Sequence, residues 1–212
     1  MQALNKYVNK SGGLAYNGLM ARIDFMKVFL VGGALFLGYH FIFFHEIKHP
    51  AGILTQEAPL QTPVIDGFRG VTYKDSFIEP LAQYSLTARI LSIEKYWNDH
   101  FASIAPIDWA VGWGLMSDSS VIEKLHISQG DRFYFYSWYT PLPVEGSVLN
   151  HNSANMHLIP ATDSIRSQLG KARVGHIVEL KGYLVRVNKK DGTEMKSSLS
   201  RDDTGPGACE VM

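Results

Sequence analysis

The stretch from His176 to Val187 reads HIVELKGYLVRV and places Val178, Leu180 and Leu184 on one face, the period-two pattern of a half-buried strand. Gly182 lies between the last two of these residues. A glycine inside a long strand marks a bulge or a barrel bend, because it lacks a side chain to pack and tolerates curvature. Lys190-Asp191-Gly192 then supplies a hairpin turn before Thr193 to Leu199. The chain ends on Glu210-Val211-Met212, which predicts entry into a final strand.

Upstream, Tyr84 to Tyr96 (YSLTARILSIEKY) is strand-like, with Leu86, Ala88, Ile90 and Leu91 apolar and a register change near Ile90. Ile107 to Met116 (IDWAVGWGLM) is a second apolar run, whose glycines predict a bend or close backbone approach. Arg132 to Tyr139 (RFYFYSWY) is aromatic on both faces, the expectation being a strand buried on both sides. Ser120 with Glu123 forms a capping box that opens a short helix through Leu125. Thr162 or Asp163 caps a second, with Ile165 and Leu169 on one face and Gly170 at its close. The predicted fold class is therefore α+β and β-rich: a small mixed or antiparallel, partly closed, OB-like β-barrel with two short helices.

Ahead of this domain, Val28 to Phe44 reads VFLVGGALFLGYHFIFF, seventeen residues without a formal charge. Phe25 and Met26 extend it to the ~20 residues that cross a hydrocarbon core. Lys27 lies near the start, where its ammonium reaches the headgroups. No small-x-small cleavage site follows, so the expectation is an uncleaved single transmembrane helix. Lys6, Lys10, Arg22 and Lys27 precede it, and Lys48 alone follows as far as Asp66. The predicted topology keeps the N-terminus inside and the C-terminal domain in the periplasm or otherwise outside the cytoplasm, with the anchor in the inner membrane. The resulting organisation is a cytoplasmic tail over 1–23, an anchor over 24–46, a proline-bearing extended linker over 47–76 and an exported globular domain over 77–212.

The 212 residues carry 20 basic and 20 acidic side chains, so no net field draws the chain to nucleic acid, and no basic stripe stands out. A single cysteine excludes an intramolecular disulfide framework and any multi-cysteine metal centre.

Several short motifs carry chemistry in other settings. His45-Glu46-Ile47-Lys48-His49 has the HExxH spacing, which binds zinc only when both histidines share one helical face. Pro50 follows directly and argues against such a helix. Asp203-Thr204-Gly205 has the aspartic protease triplet, but that chemistry needs a second carboxylate and a strand before the triplet. The polar run Asn150 to His157 (NHNSANMH) offers His151 and His157 as metal ligands, or Ser153 as nucleophile with His157 as base. Cys209 is a thiol nucleophile if the fold brings a histidine to it; otherwise it is strand packing. Among the tryptophans, Trp109 and Trp138 are expected in the core.

The leading functional expectation is a single-pass, membrane-anchored protein whose extracytoplasmic domain serves binding or assembly, as an accessory subunit of an envelope complex and with no cofactor. Its partners would be the membrane through residues 24–46 and a protein partner or a second copy, the close approach of helices being allowed by Gly32 and Gly33. One alternative is a membrane-tethered, metal-dependent hydrolase built on the His151–His157 segment. Another is a cytoplasm-facing OB-like nucleotide or nucleic-acid binder.

Overall fold

The structure, a computed structural model, describes residues 25–139, 141–142, 144–200, 203 and 205–212, and for residues 39–44 it describes the backbone alone. The expected tail over 1–23 lies outside the described residues. The chain divides into two compact units, Met1–His40 and Phe41–Met212.

Helix α1 (Phe25–Phe44) runs for twenty residues without a proline. Its described side chains, Phe25, Phe29, Val31, Leu35 and Leu37 among them, are exposed with no polar face opposite. Among the described residues, no helix is long and apolar enough to cross a membrane, so the transmembrane element of the expected fold has no support in the structure.

The second unit is a nearly closed, barrel-like sheet. It contains β1 (Leu60–Thr62), β2 (Val71–Tyr73), β3 (Ser76–Lys95) and β4 (Ile107–Gly112). A 3-10 turn (Gly114–Ser117) and α2 (Ser119–Ile122) lead to β5 (His126–Gly130) and β6 (Phe133–Ser137). Next come α3 (Gly146–Asn150), β7 (Ser153–Leu158), α4 (Asp163–Lys171), β8 (Ile177–Lys189), β9 (Glu194–Lys196) and β10 (Glu210–Val211). The strand order is β10-β7-β4-β3-β8-β9, with β1 and β2 also paired to β3. Closure comes from the segment after β9: Ser198 N–H donates to Cys209 O at 2.9 Å, and Val211 N–H donates to Ser197 Oγ at 3.1 Å. These bonds tie β10, which runs parallel to β7, back toward β8 and β9. The arrangement is consistent with the OB-type outline.

Strand β3 organises the barrel because it is long and bent. Its first part pairs with β8 and its last part with β4, and its register shifts between Ile90 and Ser92, where the sequence pattern changes. A second irregularity falls between Pro80 and Ala82, a place where a residue without an N–H is tolerated. The bulge expected at Gly182 is not there. Gly182 pairs regularly with Tyr84, and its missing side chain makes room for Met212, whose Cε would lie 3.1 Å from a Cβ. Alternation along β3, β4, β7 and β8 turns Leu86, Ile90, Trp109, Met156 and Leu184 into the barrel interior.

Three further expectations change. Strand β6 is not buried on both sides; it pairs with β5 in a separate two-stranded sheet, so Phe135 is 54% exposed and Trp138 lies partly in solvent rather than in the core. Its Tyr134 and Tyr136 face a satellite cluster with Leu91, Ala110 and Met116. The cap of α2 is Asp118, whose carboxylate accepts from Ser120 N–H; it sits closer to the start than the Ser120–Glu123 box. A third short helix, α3, joins the two that were expected. Residues 47–76 run extended for the most part but are hydrogen-bonded along their length. Ile47 N–H donates to Val174 O, Thr55 N–H donates to Ser117 Oγ, and β1 and β2 join the sheet.

Candidate thiol site

Strand β4 is wholly buried, yet it contains a carboxylate. Ile107, Trp109 and Val111 point into the barrel, so strand geometry sends Asp108 and Ala110 to the outer face. On β7, Ala154, Met156 and Leu158 point inward, and Asn155 and His157 share the outer face. The antiparallel register sets His157 opposite Asp108 and Asn155 opposite Ala110. Parallel pairing sets Glu210 beside Met156, which brings Cys209, one residue earlier, beside Asn155. Asn155 Nδ2 lies 3.7 Å from the Cys209 sulfur.

Asp108 is 0% exposed and His157 5%. His157 Nδ1 stands 2.8 Å from Asp108 Oδ2, an ion-pair contact whose ring N–H is not squarely aimed at the oxygen. The other carboxylate oxygen, Oδ1, accepts from Arg132 Nη1 at 2.7 Å. Arg132 also grips Asp99 with two further nitrogens, at 2.9 and 2.8 Å, and donates to Ala105 O. Its guanidinium carbon lies 3.7 Å above the Tyr96 ring. These contacts hold Arg132 at φ 69 in the tight turn between β5 and β6, where its neighbour Asp131 also has a positive φ. Two carboxylates, the buried Asp108 and the exposed Asp99, thus meet one guanidinium, and Asp108 also meets the His157 imidazole. Burial works against a charge on His157, but the Asp108 carboxylate and the Cys209 sulfur favour it more strongly, and the ring's pKa rises from 6.5 to about 9.

Cys209 is half-buried and opens on the other side to a cavity of about 480 Å³. The cavity lies between the aromatic run Phe133–Tyr136, the β7 residues Ser153, Ala154 and Asn155, and the turn that leads to Cys209. Gly205 and Gly207 both take left-handed backbone angles in that turn, φ 86 and 88, which a side chain would strain. A thiol with a protonated imidazole beside it, and a carboxylate behind the imidazole, has the parts of a nucleophilic site.

The residues named from the sequence are partly brought together. Cys209, Ser153 and Asp203 line the cavity, and His157 lies behind Cys209. Ser153 is not a nucleophile for His157: four positions apart on one strand puts them roughly 13 Å apart, and its hydroxyl donates to Leu149 O at 2.9 Å. His151 is exposed at the end of α3, its ring against Ser147 O, while His157 is buried in the sheet. The two do not form a metal pair, and among the described residues no group of three His, Cys, Asp or Glu is placed to hold a metal ion. Asp203 accepts from Ser198 Oγ; Thr204 of its triplet lies outside the described residues. The HExxH residues leave the helix at Phe44 and run extended, with Glu46 3.8 Å from Arg89 and His49 against Gly175 O.

Sequence reasoning passed over Asp108, Arg132 and Asn155. A signal was present for the first: an acidic residue inside the apolar run IDWAVG is costly unless something pairs with it. No family model, curated protein or solved structure matches the chain.

Proposed function

We propose that this protein is a thiol-dependent acyl-transfer enzyme, a hydrolase in the simplest case, with Cys209 as nucleophile, His157 as the proton-transferring group and Asp108 as the residue that orients and charges it. The observation that carries this reading is the placement of Cys209 on a cavity wall, backed by a buried imidazole that is itself backed by a buried carboxylate. The Cys209 sulfur attacks a carbonyl carbon, and the bond to the leaving group breaks as that group takes a proton from the imidazolium. Water then attacks the resulting thioester and gives one proton to His157, and the acid leaves with Cys209 restored as thiolate beside the imidazolium. Arg132 is a positioning residue: it holds Asp108 on the side away from His157.

In this reading the apolar segment over residues 24–46 tethers the enzyme to the inner membrane, with the barrel outside the cytoplasm. The support is the uncharged run Val28 to Phe44 and the excess of Lys and Arg before it. A binding or assembly role draws support from the exposed aromatics Phe135 and Tyr139. The nucleic-acid alternative has weaker support, because the outer faces of β4 and β7 carry the Asp108–His157 pair rather than a basic, open surface.

The test is acylation of the full chain in detergent by p-nitrophenyl acetate, read by mass spectrometry. The expected result is an acetyl adduct on Cys209 that Cys209→Ala abolishes and His157→Gln slows strongly. Absence of any adduct on Cys209 in the folded protein, with the unfolded protein acetylated there, would overturn the assignment.

A further inference from the structure

The cavity beside Cys209 is bounded by strand edges as well as by side chains. Among the described residues, strand β6 pairs with one strand, β5, along one of its edges. On β7, strand pairing with β10 begins at Met156 and Cys209 lies beside Asn155, so among the described residues the edge of Ser153 and Ala154 on that side has no strand beside it. Both segments line the cavity. Unfilled strand edges are what an extended chain completes, its main-chain groups supplying the hydrogen bonds and alternate side chains the specificity.

The surface presented there is apolar for the larger part, with Asn150, Ser153 and Asn155 as its polar side chains. Phe133 and Phe135 lie tilted to each other with ring centres 6.1 Å apart and are partly open to solvent, Ala154 and Ala208 add no polar group, and Asp203 is the charged side chain among the described lining residues. A cavity of about 480 Å³ holds a few residues of an extended segment rather than a folded partner.

Resting on the assignment of Cys209 as nucleophile, we infer that the substrate is an extended peptide, laid along the open edges of β6 and β7, with an aromatic or large apolar side chain next to the carbonyl that Cys209 attacks. The bond formed is sulfur to carbonyl carbon, and the bond broken is carbonyl carbon to peptide nitrogen. The nitrogen leaves as an amine with the proton from His157, and water completes hydrolysis.

The experiment uses the full chain in detergent and three alkylating probes: chloroacetamide, an acetyl-Ala-Ala-Phe chloromethyl ketone and its Asp counterpart. The rate of Cys209 modification is read from intact mass. The expected result is a preference for the Phe peptide over the Asp peptide of roughly tenfold or more, the scale of discrimination by one apolar pocket. Phe135→Ser should cut that ratio severalfold, each peptide rate being divided by the chloroacetamide rate of the same protein. Equal rates for the two peptides, with chloroacetamide still labelling Cys209, would overturn the peptide inference and leave the thiol assignment standing. Failure of chloroacetamide to label Cys209 in the folded chain, with labelling after unfolding, would overturn both.

Discussion

His157 and Asp108 sit directly opposite one another on adjacent antiparallel strands, Nδ1 to Oδ2 at 2.8 Å, both within the buried layer. The outer face of a barrel is an unusual place for two ionisable groups with so little exposure. The pair persists there because Arg132 completes the charge balance from the turn between β5 and β6.

A pH dependence of stability follows from the sign of the His157 shift. The folded state binds this proton more tightly than the unfolded chain, since the pKa rises from 6.5 to about 9. Its stabilising contribution is therefore complete below the unfolded value and disappears as pH rises through the folded one. The shift corresponds to an upper bound of about 3 kcal/mol. Urea unfolding at about pH 6 and about pH 10 should show wild type losing much more of its stability than His157→Gln does. Equal losses in the two proteins would remove His157 from the account.

Asp108 is the most demanding position in the cluster. Asp108→Ala leaves Arg132 and the His157 ring facing each other without the carboxylate between them. The expected cost is about 3–5 kcal/mol, that of breaking a buried pair. Asp108→Asn, which keeps the shape, should be milder and should bring the His157 proton back toward its ordinary range, measurable by NMR titration of the ring.

The two ends of the 3-10 turn and α2 depend on Asp118. Its carboxylate accepts from Gly52 N–H at 2.9 Å and from Ser120 N–H at 2.8 Å, and these bonds hold its pKa below the usual carboxylate value. Asp118→Ala should lower stability by about 1 kcal/mol. Because one bond reaches residue 52, limited proteolysis should also cut faster in residues 50–56.

Packing inside the barrel makes a steric prediction. A Cβ at Gly112 would lie 2.2 Å from the Met116 carbonyl oxygen, a backbone atom with little room to move. Gly112→Ala should therefore destabilise the fold by about 1–3 kcal/mol, as overpacking does, despite the better strand propensity of alanine. Thermal unfolding of the full chain checks it.

The alternation of β8 and the register change near Ile90 were legible because each is a local pattern with its own physical cause. Strand β6 was not: an all-aromatic run looks the same whether it is buried twice or packed once with its other face in solvent. The site was legible only in pieces. Cys209 and His157 stood out as residue types, but Asp108 was hidden in an apolar run and Arg132 in a turn. Only the register of β4, β7 and β10 brings Cys209, His157 and Asp108 together, with Arg132 reaching them from the turn, and strand order is not written in periodicity.

The proposed topology has its own check. A reporter fused after Met212 that is active only outside the cytoplasm should be active if residues 24–46 form an inside-to-outside anchor. A stable but inactive fusion would retract the export.

The most direct test of the central claim is the alkylation rate of Cys209 in the folded full chain across pH, read by mass spectrometry with iodoacetamide. The account predicts labelling at about pH 6.5 that is markedly faster than for a free thiol, and that falls to or below the free-thiol rate in His157→Gln. A rate in wild type that matches His157→Gln at every pH would contradict it, and would leave Cys209 as a packed side chain beside a structural ion pair.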